Sequence, residues 1–188
     1  MQAGQGGGTS SASSTAGAKL SPPKGLEKPI AKPFTKLVSK TWIHDRPEKD
    51  VFRLLIDAYR LRVNDDINFG GDTGVPDVAA GFDRFLDQAA SRANLLPPWW
   101  SSEKQTQCKA FGSGEDRWCN LALSVEKGDI IEHYGDSQFP MQMRMFGEQV
   151  IGTGPGGQPG TMAMNMLAGM EGGNGMESTT LDMSRMFR

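Results

Sequence analysis

The stretch Asp45-Arg-Pro-Glu-Lys-Asp-Val-Phe-Arg-Leu-Leu-Ile-Asp-Ala-Tyr-Arg-Leu-Arg-Val-Asn64 decides the fold class of this chain. Asp45 can cap a helix, Pro47 is tolerated in a first helical turn, and the acids that follow favour a helix N-terminus. Apolar residues then occupy more than one face of the helix, at positions 51, 52, 54–56, 58, 59, 61 and 63. This breadth predicts a central helix that is contacted from several sides and ends at residues 64–66.

Four further helical patterns follow this stretch. One begins after Pro76 and carries apolar residues at i, i+3 and i+4 spacing as far as Ala89. The others span residues 103–111, 125–134 and 140–150, and in the last of them we expect Met141, Met145 and Val150 to face inward. No run alternates apolar and polar residues as a strand does. We therefore predict an all-α fold, a small irregular bundle of about five helices.

The segments on either side of these helices have a different composition. Residues 1–18 carry no large apolar side chain after Met1 and predict disorder. Four prolines interrupt the lysines of residues 22–40, which predicts extended chain lying on the domain through Ile30, Phe34 and Leu37. Glycine and methionine dominate from Gly152 onward and predict at most weak helical turns. The chain is thus divided into a disordered or extended basic arm (1–40), a helical domain (41–152) and a disordered Gly/Met-rich tail (153–188).

Charge and composition restrict the functional classes. The formal net charge is −2, and the six lysines and one acid of residues 1–40 make that arm +5 and the remainder −7. Because no arginine or aromatic cluster accompanies the lysines, a solubilising linker is favoured over a nucleic-acid-binding arm. No apolar run approaches the roughly 20 residues of a membrane span, and no secretory signal follows Met1. We expect a cytoplasmic or nuclear protein, in which the two cysteines stay reduced.

Two groups of residues can be tested as metal sites. The loop from Asp66 to Asp77 offers oxygen ligands at several positions of an EF-hand, but Gly70 and Asp77 stand where ligands of a different kind are required. A flexible loop with Asp77 as a helix cap is the favoured interpretation. The second group is Cys108, Cys119, His44 and His133, which could form a Cys₂His₂ zinc site but lacks any closely spaced pair. We therefore expect no metal and no cofactor.

The sequence contains no convincing catalytic grouping. Ser137 lies near His133 and Asp136, but all three fall in one short segment, whereas triad members normally come from separate elements. The glycine run of residues 152–160 lacks the strand, helix and Gly-Lys-Ser/Thr ending of a phosphate-binding loop. We expect that the protein is not an enzyme and that it has no catalytic residue.

The segment Pro97-Pro98-Trp99-Trp100 is the candidate interaction surface. Two prolines make it rigid, and tryptophan contributes strongly to binding at protein interfaces. The competing interpretation is a rigid corner whose two indoles close the helical core.

A series of motifs occurs in order along the chain, at residues 21–34, 41–60, 95–100, 132–136, 141–145 and 154–158. Together they resemble the region that follows the zinc finger in filamentous-fungal MYND-type proteins. The resemblance implies a companion domain of such proteins, in which the finger is the part associated with protein contacts. A MYND finger requires seven cysteines and a histidine for two zinc ions, whereas this chain has two cysteines and two histidines. Zinc binding is therefore not carried over.

Together these observations predict the class of function but not the partner. We expect a non-catalytic, regulatory, intracellular fungal domain that contacts an unknown protein partner, without membrane insertion and without nucleic acid. The alternative is a small enzyme or accessory protein of a fungal metabolic gene cluster. An enzyme should have an enclosed pocket with converging polar groups, whereas an interaction domain should have an exposed apolar patch or groove.

Overall fold

The computed structural model describes residues 18–70, 77–114 and 116–173, and these residues are mostly helical. They contain seven α-helices and one pair of very short strands, so the helical class is confirmed but the expected number of about five helices is too low. The helices are α1 (Pro33–Val38), α2 (Glu48–Gly70), α3 (Val78–Ser91), α4 (Ser102–Gly112), α5 (Lys127–Tyr134), α6 (Phe139–Ile151) and α7 (Thr161–Glu171). The strands are β1 (Leu20–Ser21) and β2 (Ile30–Ala31), and a 3-10 turn spans Pro155–Gly157.

Helix α2 occupies the centre of the fold. Its side chains are buried without interruption from Leu54 to Leu61, so it is contacted on all sides as its apolar pattern predicted. The helix continues to Gly70, four residues beyond the latest expected end. Side-chain pairs four residues apart support these extra turns, because Arg62 binds Asp66 at 2.7 Å and Asn68 donates to Asn64 at 3.0 Å.

Helices α3 to α6 surround α2 and begin and end at local signals. The Asp77 carboxylate accepts from the Ala80 amide at 3.1 Å, and the Ser101 hydroxyl accepts from the Lys104 amide at 3.2 Å. Helices α5 and α6 are followed by Gly135 and Gly152, whose φ angles of 67° and 97° favour glycine. These caps explain why the four helices lie close to their expected positions.

The inner face of α6 differs in one residue from the prediction. Met145 and Val150 are buried as expected, but Met141 is exposed. The buried positions of α6 leave Met141 on the outer side of the helix: Phe139, Pro140, Gln142, Met143, Met145, Phe146, Gly147 and Val150.

The arm before Trp42 is ordered from residue 18 and includes a helix that was not expected. Pro33 is the first residue of α1, a position where the missing backbone donor costs nothing, so this proline starts a helix instead of preventing one. Ile30, Phe34 and Leu37 are buried, as the prediction of an arm lying on the domain required. Strands β1 and β2 pair antiparallel, with only two residues each, which is too short for an alternating pattern.

Helix α7 lies in the segment that was expected to be a disordered tail. Its inner side packs against the core through Met164, Leu167 and Ala168. The Glu171 carboxylate accepts from the backbone amides of Phe34 and Thr35 in α1, at 3.1 and 2.7 Å. Residues 33–38 and 161–171 therefore extend the helical domain beyond the expected limits of 41 and 152. The remaining parts predicted to be disordered, residues 1–17 and 174–188, lie outside the described residues.

Among the described residues, no helix is both long enough and apolar enough to cross a membrane.

Candidate interaction surface

The predicted tryptophan–proline surface divides into a buried and an exposed half. Pro97 is buried, and the half-buried Trp100 packs edge-on against Phe52, with ring centroids 6.1 Å apart. Pro98 is exposed, and 38% of Trp99 is accessible to solvent. Trp100 therefore belongs to the core, while Trp99 and Pro98 stay available for contact.

The described residues at the two ends of the proposed calcium loop differ from those of an EF-hand. Its first five residues, 66–70, form the last turn of α2, and Asp66 binds Arg62. Asp77 caps α3, and residues 71–76 lie outside the described residues. An EF-hand loop must wrap its first ligands around the ion, which helical residues cannot do.

The proposed zinc ligands do not meet in the described part of the chain. His44 contacts the carbonyl oxygen of Leu95 at 3.2 Å, and His133 stacks on Trp118. Among residues 18–70, 77–114 and 116–173, no three His, Cys, Asp or Glu side chains are grouped as metal ligands would be.

Asp57 forms a buried polar centre that the sequence patterns did not identify. Its Oδ2 atom accepts hydrogen bonds from the Tyr134 hydroxyl at 2.6 Å and from the Trp118 indole nitrogen at 2.7 Å. Arg60 lies 3.5 Å from Oδ1, so it supplies charge without a good hydrogen bond. Burial raises the pKa of Asp57 to about 6, although Arg60 and the two donors oppose this shift. The sequence does carry a signal for this buried centre, because Asp57 is an acidic residue among the closely spaced apolar residues of α2.

Trp118 attaches the loop between α4 and α5 to this centre. Its indole lies parallel to the His133 ring, at a centroid distance of 3.7 Å and an angle of 2°, and the Arg60 guanidinium carbon lies 5.4 Å from the indole centroid. Arg60 also donates to the carbonyl oxygens of Trp118 and Asn120. Burial lowers the pKa of His133, and Lys24 adds to this shift, which favours the neutral ring in the stack.

The surroundings of Asp57 indicate a structural role. Asp57 and Tyr134 are both completely buried, without access to solvent. A substrate would need such access to reach the carboxylate. The centre joins α2, α5 and the loop that follows α4.

The serine–histidine–aspartate segment is also used for structure. Asp136 accepts from the Ser21 hydroxyl at 2.5 Å and from the Gln138 amide at 2.9 Å. Gln142 donates to Ser21 at 2.9 Å and accepts from the Trp42 indole at 3.1 Å. This buried chain of hydrogen bonds attaches β1 to α6, and the exposed Ser137 takes no part in it.

The outer side of α7 carries a methionine face, formed by Met162, Met166 and Met170. These side chains are 86%, 63% and 63% exposed. Their spacing of four residues aligns them along one side of the helix, because each step of four advances only about 40° around its axis. The sequence patterns predicted at most weak helical turns here and did not identify this face.

An apolar groove borders the methionine face. It has a volume of about 430 Å³ and lies between the end of α2, α6, the 155–160 turn and the start of α7. Its lining includes Phe69, Met141, Pro155, Pro159 and Ala163. Phe69 is 68% exposed. Ala163 and Met166 are three residues apart on α7 and therefore neighbours on its surface, so the groove adjoins one side of the methionine face.

The charged groups of the groove are already paired. Arg144 binds both carboxylate oxygens of Asp65 at 2.7 Å. Glu148 accepts from the Gly160 amide at 2.8 Å. A ligand of this surface would therefore meet apolar side chains, the Arg144–Asp65 ion pair and the hydrogen-bonded carboxylate of Glu148.

No protein-family model, no characterised protein and no solved structure matches the chain. Function is therefore inferred from the geometry of the described residues.

Proposed function

We propose that this chain is a non-catalytic protein-interaction domain that binds through the methionine face and the adjoining apolar groove. The supporting observation is the continuous exposure of Met162, Met166 and Met170 beside a groove that contains the exposed Phe69. Soluble proteins seldom expose a large contiguous apolar patch unless it contacts another molecule.

The chemistry of this surface indicates the type of partner segment. Methionine is unbranched and polarizable, so a row of methionines can adapt to an apolar ligand surface. Helix α7 has Glu171 as its single charged side chain, and that carboxylate is bound to α1. A helical segment with an apolar side fits such a surface better than a charged peptide does.

Trp99 and Pro98 provide a second, smaller contact in this proposal. The indole of Trp99 remains partly exposed, whereas Trp100 packs on Phe52. Exposed tryptophan is common among the residues that contribute most to binding. Trp99→Ala should then weaken partner binding without lowering the melting temperature, and Trp100→Ala should lower the melting temperature.

The proposed setting follows from the sequence resemblance. A companion domain of fungal MYND-type proteins, acting in the cytoplasm or nucleus as a regulatory module, would need a surface for protein contacts. The methionine face is a surface of that kind, and the chain would act there without a metal or a cofactor of its own.

The test changes the charge of the methionine face and leaves the core intact. The variant Met162→Glu/Met166→Glu/Met170→Glu places three carboxylates on the exposed side of α7. The matched control is Ala79→Glu/Gln88→Glu/Ala110→Glu, which adds the same charge at exposed helical positions away from the groove. Each chain is used as bait, and the affinity of captured proteins is then measured by calorimetry.

We expect the methionine variant to lose at least about tenfold in affinity for its protein partner, since apolar burial supplies the binding energy. The control should bind as the unaltered chain does, and both variants should keep its melting temperature. Equal binding by all three chains would refute the proposed surface.

A further inference from the structure

The row of methionines on α7 is symmetric about its centre. Met162, Met166 and Met170 follow one i±4 ridge of the helix, with Met166 in the middle. An antiparallel copy of the same helix would therefore place Met166 against Met166, and Met162 against Met170. Such an arrangement is isologous, so it closes as a pair and does not extend into a filament.

The charges of this surface permit the approach of an identical surface. Glu171 is the only charged side chain of α7, and it is occupied by the amides of Phe34 and Thr35. In the groove, Arg144 is bound to Asp65. The outer side of α7 carries no charged side chain, so the α7 helices of two copies would meet without like charges opposed along their contact, which usually disfavours self-association.

The exposed apolar area, taken as an upper limit, reaches the size of a small specific interface. The large exposed side chains are the three methionines of α7 together with Phe69 and Met141. At about 200 Å² for each fully exposed side chain, they present about 650 Å² per copy, or about 1,300 Å² in a pair. Specific interfaces bury from about 1,200 Å² upward, so the estimate falls at the lower end of that range.

We infer that the occupant of the methionine face and the apolar groove is a second copy of this chain, docked with antiparallel α7 helices and a twofold axis at Met166. This inference rests on the proposed function, because it names the partner of the same surface. Because flexible methionine side chains lose conformational freedom when they are buried, we expect the pair to dissociate in the micromolar range.

Cysteine cross-linking can test the arrangement directly in the full chain. The native Cys108 and Cys119 are buried and free, so an added surface thiol can be followed separately. Under mild oxidation with diamide, Met166→Cys should form a disulfide-linked dimer. Met162→Cys should link to Met170→Cys in a mixture, and each of these two should link poorly to itself. Gln88→Cys, on the exposed side of α3, is the control and should form no disulfide-linked dimer.

Sedimentation of the untagged chain provides the second measurement. We expect a concentration-dependent dimer with a dissociation constant below about 200 μM. Met166→Glu should associate at least a hundredfold more weakly, and its circular dichroism spectrum should be unchanged. Self-linking of Met162→Cys and of Met170→Cys in separate samples would show parallel helices and refute the antiparallel arrangement. A dimer that persists in Met166→Glu would place self-association elsewhere and would also overturn the inference.

The proposed function can survive the failure of this inference. A chain that stays monomeric, but loses a different protein partner when the methionine face is changed to glutamate, refutes the second copy and supports the interaction surface. A third outcome would assign the surface to residues 174–188 of the same chain. In that case the chain is monomeric, and the thiol of Met166→Cys reacts faster with a soluble thiol reagent once those residues are removed. Retention of both the dimer and all other partners in the triple glutamate variant would refute both proposals.

Discussion

At the scale of single residues, Asp57 combines a charge with complete burial. Its Oδ2 atom accepts from Tyr134 and Trp118, while Oδ1 has only the distant charge of Arg60. Two good donors are not enough to compensate the loss of water around a carboxylate, so burial raises its pKa to about 6. The same side chain links three parts of the fold that are far apart in sequence. Its protonation is therefore coupled to folding.

Asp57→Asn is expected to change how stability depends on pH. The ordinary pKa of an aspartate is 3.8 and that of Asp57 in the fold is about 6, so between these values the folded state retains a proton that the unfolded chain releases. The free energy of unfolding therefore falls by about 3 kcal/mol through this group as the pH rises from about 4 to about 6. Asparagine cannot ionise, so the variant should gain stability relative to the unaltered chain across that interval. Urea unfolding at several pH values between about 4 and about 7.5 measures this difference.

The exposed, uncharged Gln88 provides the control for this prediction. Gln88→Asn should leave the pH dependence close to that of the unaltered chain. If Asp57→Asn and the unaltered chain show parallel stability curves over the whole interval, the proton on Asp57 is not coupled to folding.

At the scale of elements, α1 and α7 are ordered through each other. Helix α1 has six residues, which is too short to be stable alone, and α7 has no fully buried residue. Glu171 joins them, because its carboxylate binds two amides at the N-terminus of α1, where negative charge is favourable. Neither segment contains a strong local helix signal at the contact, which is why the sequence patterns predicted extended chain for one and a loose tail for the other.

Glu171→Gln is expected to destabilise this pair of helices. Glutamine keeps the length and one acceptor but loses the charge and the second acceptor, so we expect a loss of about 1–2 kcal/mol. Denaturant unfolding gives the total effect, and amide exchange in residues 161–171 should increase more than exchange in α2. Glu132→Gln, an exposed position on α5, serves as control. Equal amide exchange of α7 in both variants would show that Glu171 does not hold it.

At the scale of the whole molecule, both ends of the described chain fold onto one core. Ser21 binds Asp136 across 115 positions, and Phe34 binds Glu171 across 137 positions. Helix α2 supplies the surface that the remaining elements share, and Leu55 is completely buried within it. Disruption of that residue should therefore affect the arm, the bundle and α7 together.

Leu55→Asp is expected to abolish the folded state. An unpaired charge at this position costs several kcal/mol, a large part of the roughly 5–15 kcal/mol of a typical domain. Leu55→Met keeps the volume and should cost less than about 1.5 kcal/mol. Circular dichroism and limited proteolysis distinguish the two outcomes. A Leu55→Asp chain that melts like the unaltered protein would contradict the central position of α2.

The sequence by itself determined the helical class and the positions of α2 to α6. Those features depend on apolar spacing, on caps such as Asp77 and Ser101, and on terminating glycines, which all act within a few residues. Only the tertiary structure decided that the arm and α7 are ordered, that Asp57 is held by Tyr134 and Trp118, and that the methionines of α7 point outward. These features depend on partners dozens to more than a hundred residues away, and the pairing energy appears only when the chain has brought those partners together.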